Sequence, residues 1–225
     1  MYKNFTKSKA LIISMLAASA MVLATNAIAG SGKGKPGKNE ILEGGTIAEI
    51  AATVNGATGD FTNLLTVVGC FGPVTLVPGD NPIIDLLNGE DKYTLFAPTD
   101  DAFVALLTRL EGIDGFEGVS SDPCMLDDSD DLASNTLFTV LAYHVVDGRR
   151  FSNSIFNANS VKMVSTLAGA DITTYVTSGG APTLNDVDGQ EVGIVSPLVN
   201  INAVNGVIHV IDTVLLPIDL PGNDD

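Results

Sequence analysis

The first half of the chain has the hydrophobic spacing of short helices. Thr46 and Glu49 are three positions apart, as in a capping box, and apolar residues follow at helical spacing, which predicts a helix over about 46–54. Asp60 is expected to cap a second helix, and residues 82–87 are expected to form a brief third one. The pattern therefore favours small helices before any strand.

A strand and two more helices are predicted between residues 92 and 144. Residues 92–97 are rich in β-forming side chains and end against a proline, which predicts a strand that leads into a turn. Thr99 is expected to cap the next helix, and the polar residues 111–131 are expected to form a long loop. The apolar faces of the two helices consist of Phe103, Leu106, Leu107 and Leu110 in the first and of Leu137, Val140, Leu141 and His144 in the second.

From residue 160 onward the pattern changes to alternation and to β-branched residues. The pairs Asp188-Gly189 and Asn205-Gly206 predict hairpins with type I′ turns, in which both central residues have positive φ. The second half is thus expected to be an antiparallel sheet. Helices grouped before strands predict an α+β domain rather than an alternating, parallel-sheet fold.

The N-terminal region has the features of a secretory signal peptide. Three lysines precede an apolar run, and small residues near Ala29 fit a cleavage site, so residues 1–29 are interpreted as a signal and 30–45 as a flexible linker. We expect a protein exported to the periplasm or the extracellular space, without membrane insertion.

The chain is strongly acidic. It has 11 Lys and Arg residues against 27 Asp and Glu residues, a formal net charge of −16, and loss of the three signal lysines lowers this to −19. A nucleic acid partner is not expected, because binding one requires a basic surface. Solubility is the simplest consequence of this acidity.

Cys70 and Cys124 are the two cysteines of the chain. In an exported protein the simplest interpretation is one disulfide between them. Two buried free thiols are the alternative.

Three segments carry distinctive motifs: residues 93–103 (YTLFAPTDDAF), 141–148 (LAYHVVDG) and 205–212 (NGVIHVID), the last followed by 214–217 (VLLP). Together these segments resemble the fasciclin (FAS1) family. The resemblance covers about 46–217 and leaves 218–225 as an acidic tail. It implies two mostly antiparallel β-sheets set as a wedge beside short helices. The residues expected to define this fold are Thr94, Phe96, Pro98, Asn205, Gly206, His209 and Asp212.

The same resemblance implies an adhesion or binding module with a cell-surface or matrix protein or polysaccharide as its partner. The candidate partner-binding residues are Tyr143, His144, Asn200 and Ile201. In animal relatives an Asp-Ile pair at the position of Asn200-Ile201 is associated with integrin-type adhesion. Here the carboxylate is absent, so that activity is not carried over.

Alternatives from other classes are a structural matrix component without a defined ligand and a secreted hydrolase. His144 and His209 are the two histidines and are interpreted as structural residues, so no metal site, cofactor or catalytic residue is expected. Weak calcium binding is a candidate at two acidic clusters, residues 127–131 and 186–191.

Overall fold

Helices occupy the first part of the described chain and most strands the second. The computed structural model describes residues 44–75, 79–113, 124 and 136–220. The helices are α1 (Ile47–Thr58), α2 (Thr62–Val68), α3 (Pro82–Asn88), α4 (Asp100–Glu111), α5 (Thr136–Tyr143) and α6 (Ser152–Ile155). The strands are β1 (Tyr93–Pro98), β2 (Val145–Asp147), β3 (Lys162–Ser165), β4 (Asp171–Val176), β5 (Pro182–Asn185), β6 (Glu191–Gly193), β7 (Ile201–Ala203) and β8 (Gly206–Ile211).

The strands form two four-stranded sheets. Sheet I has the order β2-β1-β8-β7 and sheet II the order β3-β4-β5-β6. Every pairing is antiparallel except that of β1 with β8, which is parallel from Tyr93 opposite Gly206 to Pro98 opposite Ile211. The expected α+β class with two mostly antiparallel sheets is confirmed, and the parallel pair is an addition that hairpin signals alone do not predict.

Sheet I has a core on each face. Alternate residues of β1 and β8 contribute to a cluster that also contains side chains of α1, α2 and α3. The intervening positions, such as Phe96 and Ile211, belong to a second cluster with Ile172, Leu184 and Val192 of sheet II. All six residues of each central strand are buried for this reason.

Two isolated bridges connect the sheets at their sides. One pairs Val146 with Thr166, and the other pairs Ile194 with Ile211. Beside the second bridge, the Gly193 amide donates to the Asp212 carboxylate at 2.9 Å. Asp212 therefore fastens the end of β6 to the end of β8.

The helix caps follow the sequence with one exception. The Thr46 and Glu49 capping box is present, and Thr99 caps α4 by accepting from the Ala102 amide at 3.3 Å. Asp60 does not cap α2, so that prediction is wrong. The Asn63 amide instead donates to the Asp100 side chain at 2.7 Å, a partner 37 positions away that local spacing cannot indicate.

The Asp188-Gly189 and Asn205-Gly206 pairs both lie in hairpins, but neither turn is of the predicted type. The pair facing each other across the β7–β8 turn is Ala203 and Gly206, so Val204 and Asn205 are its central residues, and neither has positive φ. In the β5–β6 connection only Gly189 has positive φ, at 78°. The type I′ prediction is therefore wrong at both sites.

The Asn205 side chain and the small size of Gly206 explain the first difference. Asn205 accepts from the Ile47 amide at 2.8 Å and donates to the carbonyls of Leu87 and Gly89 at 2.8 and 3.0 Å. A Cβ atom on Gly206 would overlap the Tyr93 carbonyl oxygen. Gly206 thus lets β1 and β8 approach each other, and Asn205 joins α1 and α3 to them.

Several sequence predictions fall partly or wholly outside the described residues. These are the signal peptide, the linker as far as residue 43, most of the 111–131 loop and the acidic cluster 127–131. Within the expected tail 218–225, Leu220 is buried and packs with Leu107, Leu110 and Leu216, so the packed part of the chain extends to Leu220. No helix among the described residues is long and apolar enough to cross a membrane.

Replacing Asn205 tests its role as a cross-link. We expect Asn205→Ala to lower the free energy of unfolding by about 3–5 kcal/mol, because it removes the partner of three backbone groups in two buried hydrogen bonds and one partly buried one. Asn202→Ala is the matched control, since Asn202 is exposed on the same hairpin, and it should change stability by less than about 0.5 kcal/mol. Urea denaturation measures both, and equal effects would contradict the assignment.

Candidate partner-binding surface

His144 lies just beyond the last residue of α5 and is 3% exposed. Its Nδ1 lies 2.7 Å from the Val140 carbonyl oxygen, and the Leu215 amide donates to its Nε2 at 2.9 Å. Nδ1 therefore carries the proton. Burial lowers the pKa of His144 to about 4, so the ring is neutral at pH 7.

Tyr143 has no exposed surface. Its hydroxyl donates to the Asp171 carbonyl at 2.9 Å, which ties the end of α5 to sheet II. Burial raises the pKa of this phenol well above its usual value. A partner cannot contact Tyr143 in this fold, so its place in the structure is that of a core residue.

His209 occupies the middle of β8 and is fully buried. Its ring is stacked with Phe96, with the ring centres 5.6 Å apart. Nε2 donates to the Arg150 carbonyl at 2.8 Å, and Nδ1 accepts from the Asn200 amide at 3.3 Å. Burial lowers the pKa of His209. Because one ring nitrogen accepts and the other donates, the ring is a neutral bridge between two surface segments.

Asn200 and Ile201 have different environments. Ile201 is 9% exposed and belongs to the core beneath the helices. Asn200 has positive φ, at 59°. Its side chain accepts from the Ser152 amide at 2.7 Å and donates to the Ser152 hydroxyl at 2.8 Å. Asn200 therefore holds the segment that contains Ser152.

That segment, residues 149–154, is attached to the body of the domain along its length. The Thr94 hydroxyl accepts from the Arg150 amide at 2.8 Å and donates to the Gly148 carbonyl at 2.7 Å. The Arg149 guanidinium donates to the carbonyls of Ala203 and Val204. At the far end, the Lys162 ammonium donates to the Ser154 carbonyl at 2.5 Å.

The segment and Lys162, which contacts its far end, together carry most of the positive charge of this part of the chain. Residues 46–217 contain five Lys and Arg residues, and Arg149, Arg150 and Lys162 are three of them. Arg149 and Arg150 are exposed, and Phe151 beside them is 37% exposed. We call Arg149, Arg150, Phe151 and Lys162 the cationic surface. Within the described residues no carboxylate forms an ion pair with its three cations.

Comparison with known proteins assigns the domain. A family model described as Fasciclin domain matches residues 80–217, more than half of the chain. This chain belongs to the fasciclin domain family. Domains of this family are adhesion and binding modules that are generally not enzymes and are typically extracellular.

Two proteins are similar to this fasciclin domain over part of their length. Protein sll1483 from Synechocystis sp. is 31% identical over 135 residues, which span 60% of this chain and 61% of that protein. A structure of a FAS1 domain pair from the insect cell adhesion molecule fasciclin I matches with 19% identity and a TM-score of 0.48 over 71% of this chain and 46% of that one. The chain thus spans less than two thirds of either protein.

Sequence reasoning did not identify the cationic surface of this fasciclin domain. It named Asn200, whose side chain supports the surface, but not the exposed Arg149, Arg150 and Phe151. A signal was present, because Arg149-Arg150 is the one adjacent pair of cations in 46–217 and directly follows residues 141–148. The net negative charge of the chain hides this pair in the overall composition.

Asp186 and Asp188 of the second acidic cluster, residues 186–191, form hydrogen bonds inside the domain. Asp188 is 3% exposed and pairs with Arg109 at 2.5 Å, and it also accepts from the Leu220 amide at 2.6 Å. Asp186 accepts from the amides of Leu216 and Gln190. A calcium ion at 186–191 would have to displace these donors, and the described residues contain no group of three potential metal ligands.

The predicted disulfide is confirmed. Cys70 and Cys124 are bonded, with their Cα atoms 5.4 Å apart and a sequence separation of 54. This excludes two free thiols. By the chain-entropy estimate, closing a loop of this length stabilises the fold by about 4 kcal/mol.

Two apolar cavities lie near the helices. One, of about 50 Å³, is lined mainly by leucines of α4, α5 and the C-terminal segment, and the other, of about 40 Å³, lies against α1, α2 and α3. Among the described residues that line these cavities, His144 is the one titratable group. Because its two ring nitrogens are engaged with backbone groups, these cavities do not supply a general base.

Acidification tests the neutral state of His144. Its pKa is about 4 in the folded chain and about 6.5 when unfolded, so the unfolded state binds more protons between these values. The contribution of His144 to the free energy of unfolding is therefore complete above about pH 6.5. It falls by up to about 3 kcal/mol as the pH falls toward 4.

Urea denaturation at pH 7 and pH 4.5 measures this loss. The matched variant is His144→Gln, which is less stable at pH 7 but lacks the titrating ring, so it should lose less stability on acidification. An equal loss in both proteins would show that His144 does not contribute to the pH dependence.

Proposed function

We propose that this fasciclin domain is an exported adhesion module that binds a cell-surface or matrix partner, and that the cationic surface is its contact site. One observation carries the proposal. The exposed side chains of Arg149, Arg150 and Phe151 lie on a segment held by hydrogen bonds from Thr94, His209 and other residues of sheet I.

Such a segment suits binding for an energetic reason. A loop that must become ordered on association loses affinity, whereas one already fixed in the free protein does not incur that loss. Arginine and aromatic residues, Phe among them, are also enriched at protein interfaces, and arginine often dominates the binding energy. The side chains suited to binding are therefore on the part of the surface that is held in place.

Two other functions remain as alternatives to be tested. A hydrolase needs a base or nucleophile positioned in a site, and the two histidines instead have both ring nitrogens engaged with protein groups. A structural matrix component needs no defined contact site and predicts no saturable binding.

The direct experiment is saturation binding of the labelled, full-length secreted protein to the cell surface and extracellular matrix of the source organism. We expect binding that saturates and that unlabelled protein competes away. Binding that rises linearly with concentration would favour the matrix alternative. Turnover of ester or polysaccharide substrates that survives purification would favour the hydrolase.

Loosening the segment should weaken this binding. Asn200→Gly tolerates the positive φ of this position but removes both side-chain hydrogen bonds to Ser152. We expect affinity to fall about fivefold, corresponding to roughly 1 kcal/mol of added ordering cost. Asn202→Ala, which removes an exposed amide from the neighbouring strand, is the control and should bind normally. Unchanged binding by Asn200→Gly would place the contact site elsewhere.

A further inference from the structure

We propose that the cationic surface binds an anionic polysaccharide through its carboxylate groups, an inference that rests on the proposed function and names the class of partner. The free hydrogen-bond donors of the surface and its small apolar area favour this ligand, and the negative charge of the surrounding molecule disfavours more densely charged polyanions.

Arg150 has free donors in a suitable arrangement. Its Nε donates to the Asp147 carbonyl at 3.2 Å, which restrains the guanidinium group. Neither terminal nitrogen of Arg150 has a partner among the described residues. Two terminal nitrogens on a planar group form the fork that binds a carboxylate through two parallel hydrogen bonds.

Arg149 and Lys162 add charge at restrained positions. Arg149 uses one terminal nitrogen for the carbonyls of Ala203 and Val204, which leaves its other nitrogens for a ligand. Lys162 contacts Ser154 with its ammonium group, so it lies at the opposite end of the segment from Arg149. The surface therefore offers several points of positive charge to a ligand with repeated negative charges.

The apolar part of the surface is small. Beside the two arginines, the exposed apolar side chains are Phe151, at 37%, and Val204, at 51%. Val161 and Met163 flank Lys162 and are also exposed, but side chains alternate along a strand, so Met163 of β3 lies on the opposite face from Lys162. A stable protein–protein interface covers about 800 Å² per partner around a well-packed apolar centre. The two partly exposed side chains beside the arginines do not provide such a centre, and a sugar chain held by charge-assisted hydrogen bonds to its carboxylates does not need one.

The charge of the whole molecule narrows the choice of polyanion. The chain has a formal net charge of −16, which repels densely charged polymers. Double-stranded DNA carries one charge per about 1.7 Å. A polysaccharide with one carboxylate per sugar is much less densely charged. Screening over about 8 Å at physiological salt lets the cationic surface act locally on it.

Polygalacturonate is a suitable probe for this inference. We expect the full-length secreted protein to bind it at physiological salt, more weakly as salt increases, and to show no binding to neutral dextran and weaker binding to double-stranded DNA. Isothermal titration calorimetry or biolayer interferometry measures these affinities. Equal or tighter binding to DNA, or the absence of binding to polygalacturonate, would overturn the proposal.

Charge-matched variants localise the site. Arg149→Ala/Arg150→Ala removes two positive charges and should weaken polygalacturonate binding tenfold or more. Ala105→Glu/Thr108→Glu makes the same change in net charge at exposed positions of α4 and should bind within about twofold of the original protein. Equal losses in the two variants would show that net charge, not the cationic surface, controls binding.

A single variant guards against loss of the fold. The Arg150 guanidinium makes one hydrogen bond in the described structure, so Arg150→Ala should remain folded by circular dichroism and still bind more weakly. Binding unchanged by this variant would overturn the assignment of Arg150.

The cell-surface experiment separates this inference from the proposed function. If the protein binds cells or matrix saturably but polygalacturonate does not compete, the polysaccharide assignment is wrong and the adhesion function stands. Competition by polygalacturonate that depends on Arg149 and Arg150 supports both. Absence of saturable binding to any surface, combined with tight binding to polygalacturonate, would support the ligand class and reject cell or matrix adhesion.

Discussion

The parallel pairing of β1 with β8 is the constraint on which the rest of the structure depends. The two strands can meet only because Gly206 has no side chain to collide with the Tyr93 carbonyl. Asn205, immediately before it, joins the pair to α1 and α3 through three hydrogen bonds. With helices on one face and sheet II on the other, the pair is buried throughout, so each polar side chain in it needs an internal partner.

Those internal partners connect the core to the surface. Thr94 of β1 and His209 of β8 are fully buried, and both form hydrogen bonds with the backbone of Arg150. Asn200 receives support from the same histidine and in turn holds Ser152. Polar residues that identify the family in sequence thus have a physical role, because they fix an exposed, positively charged segment against the centre of the fold.

Local signals predicted the elements of this fold better than its long-range contacts. The capping box at Thr46, the cap at Thr99 and the α+β order of elements could all be read from neighbouring residues. The cap of α2 could not, because the group that accepts from Asn63 belongs to Asp100. The Asn-Gly pair correctly indicated a hairpin but not its turn type, since the Asn205 side chain binds residues more than 100 positions away.

The same limit applies to the candidate site. Asn200 was named as a candidate because of its position in a family motif. Arg149 and Arg150 became candidates only when the structure showed the hydrogen bonds that hold their segment.

The central claim is that the core of the domain holds residues 149–154 in one conformation. The backbone dynamics of these residues test it most directly. ¹⁵N relaxation of the free protein gives order parameters for the amides of Arg150 and Ser152. The account predicts values near those of β1 and β8, about 0.85, because both amides have protein acceptors. Values below about 0.6 would show a flexible loop and would contradict it.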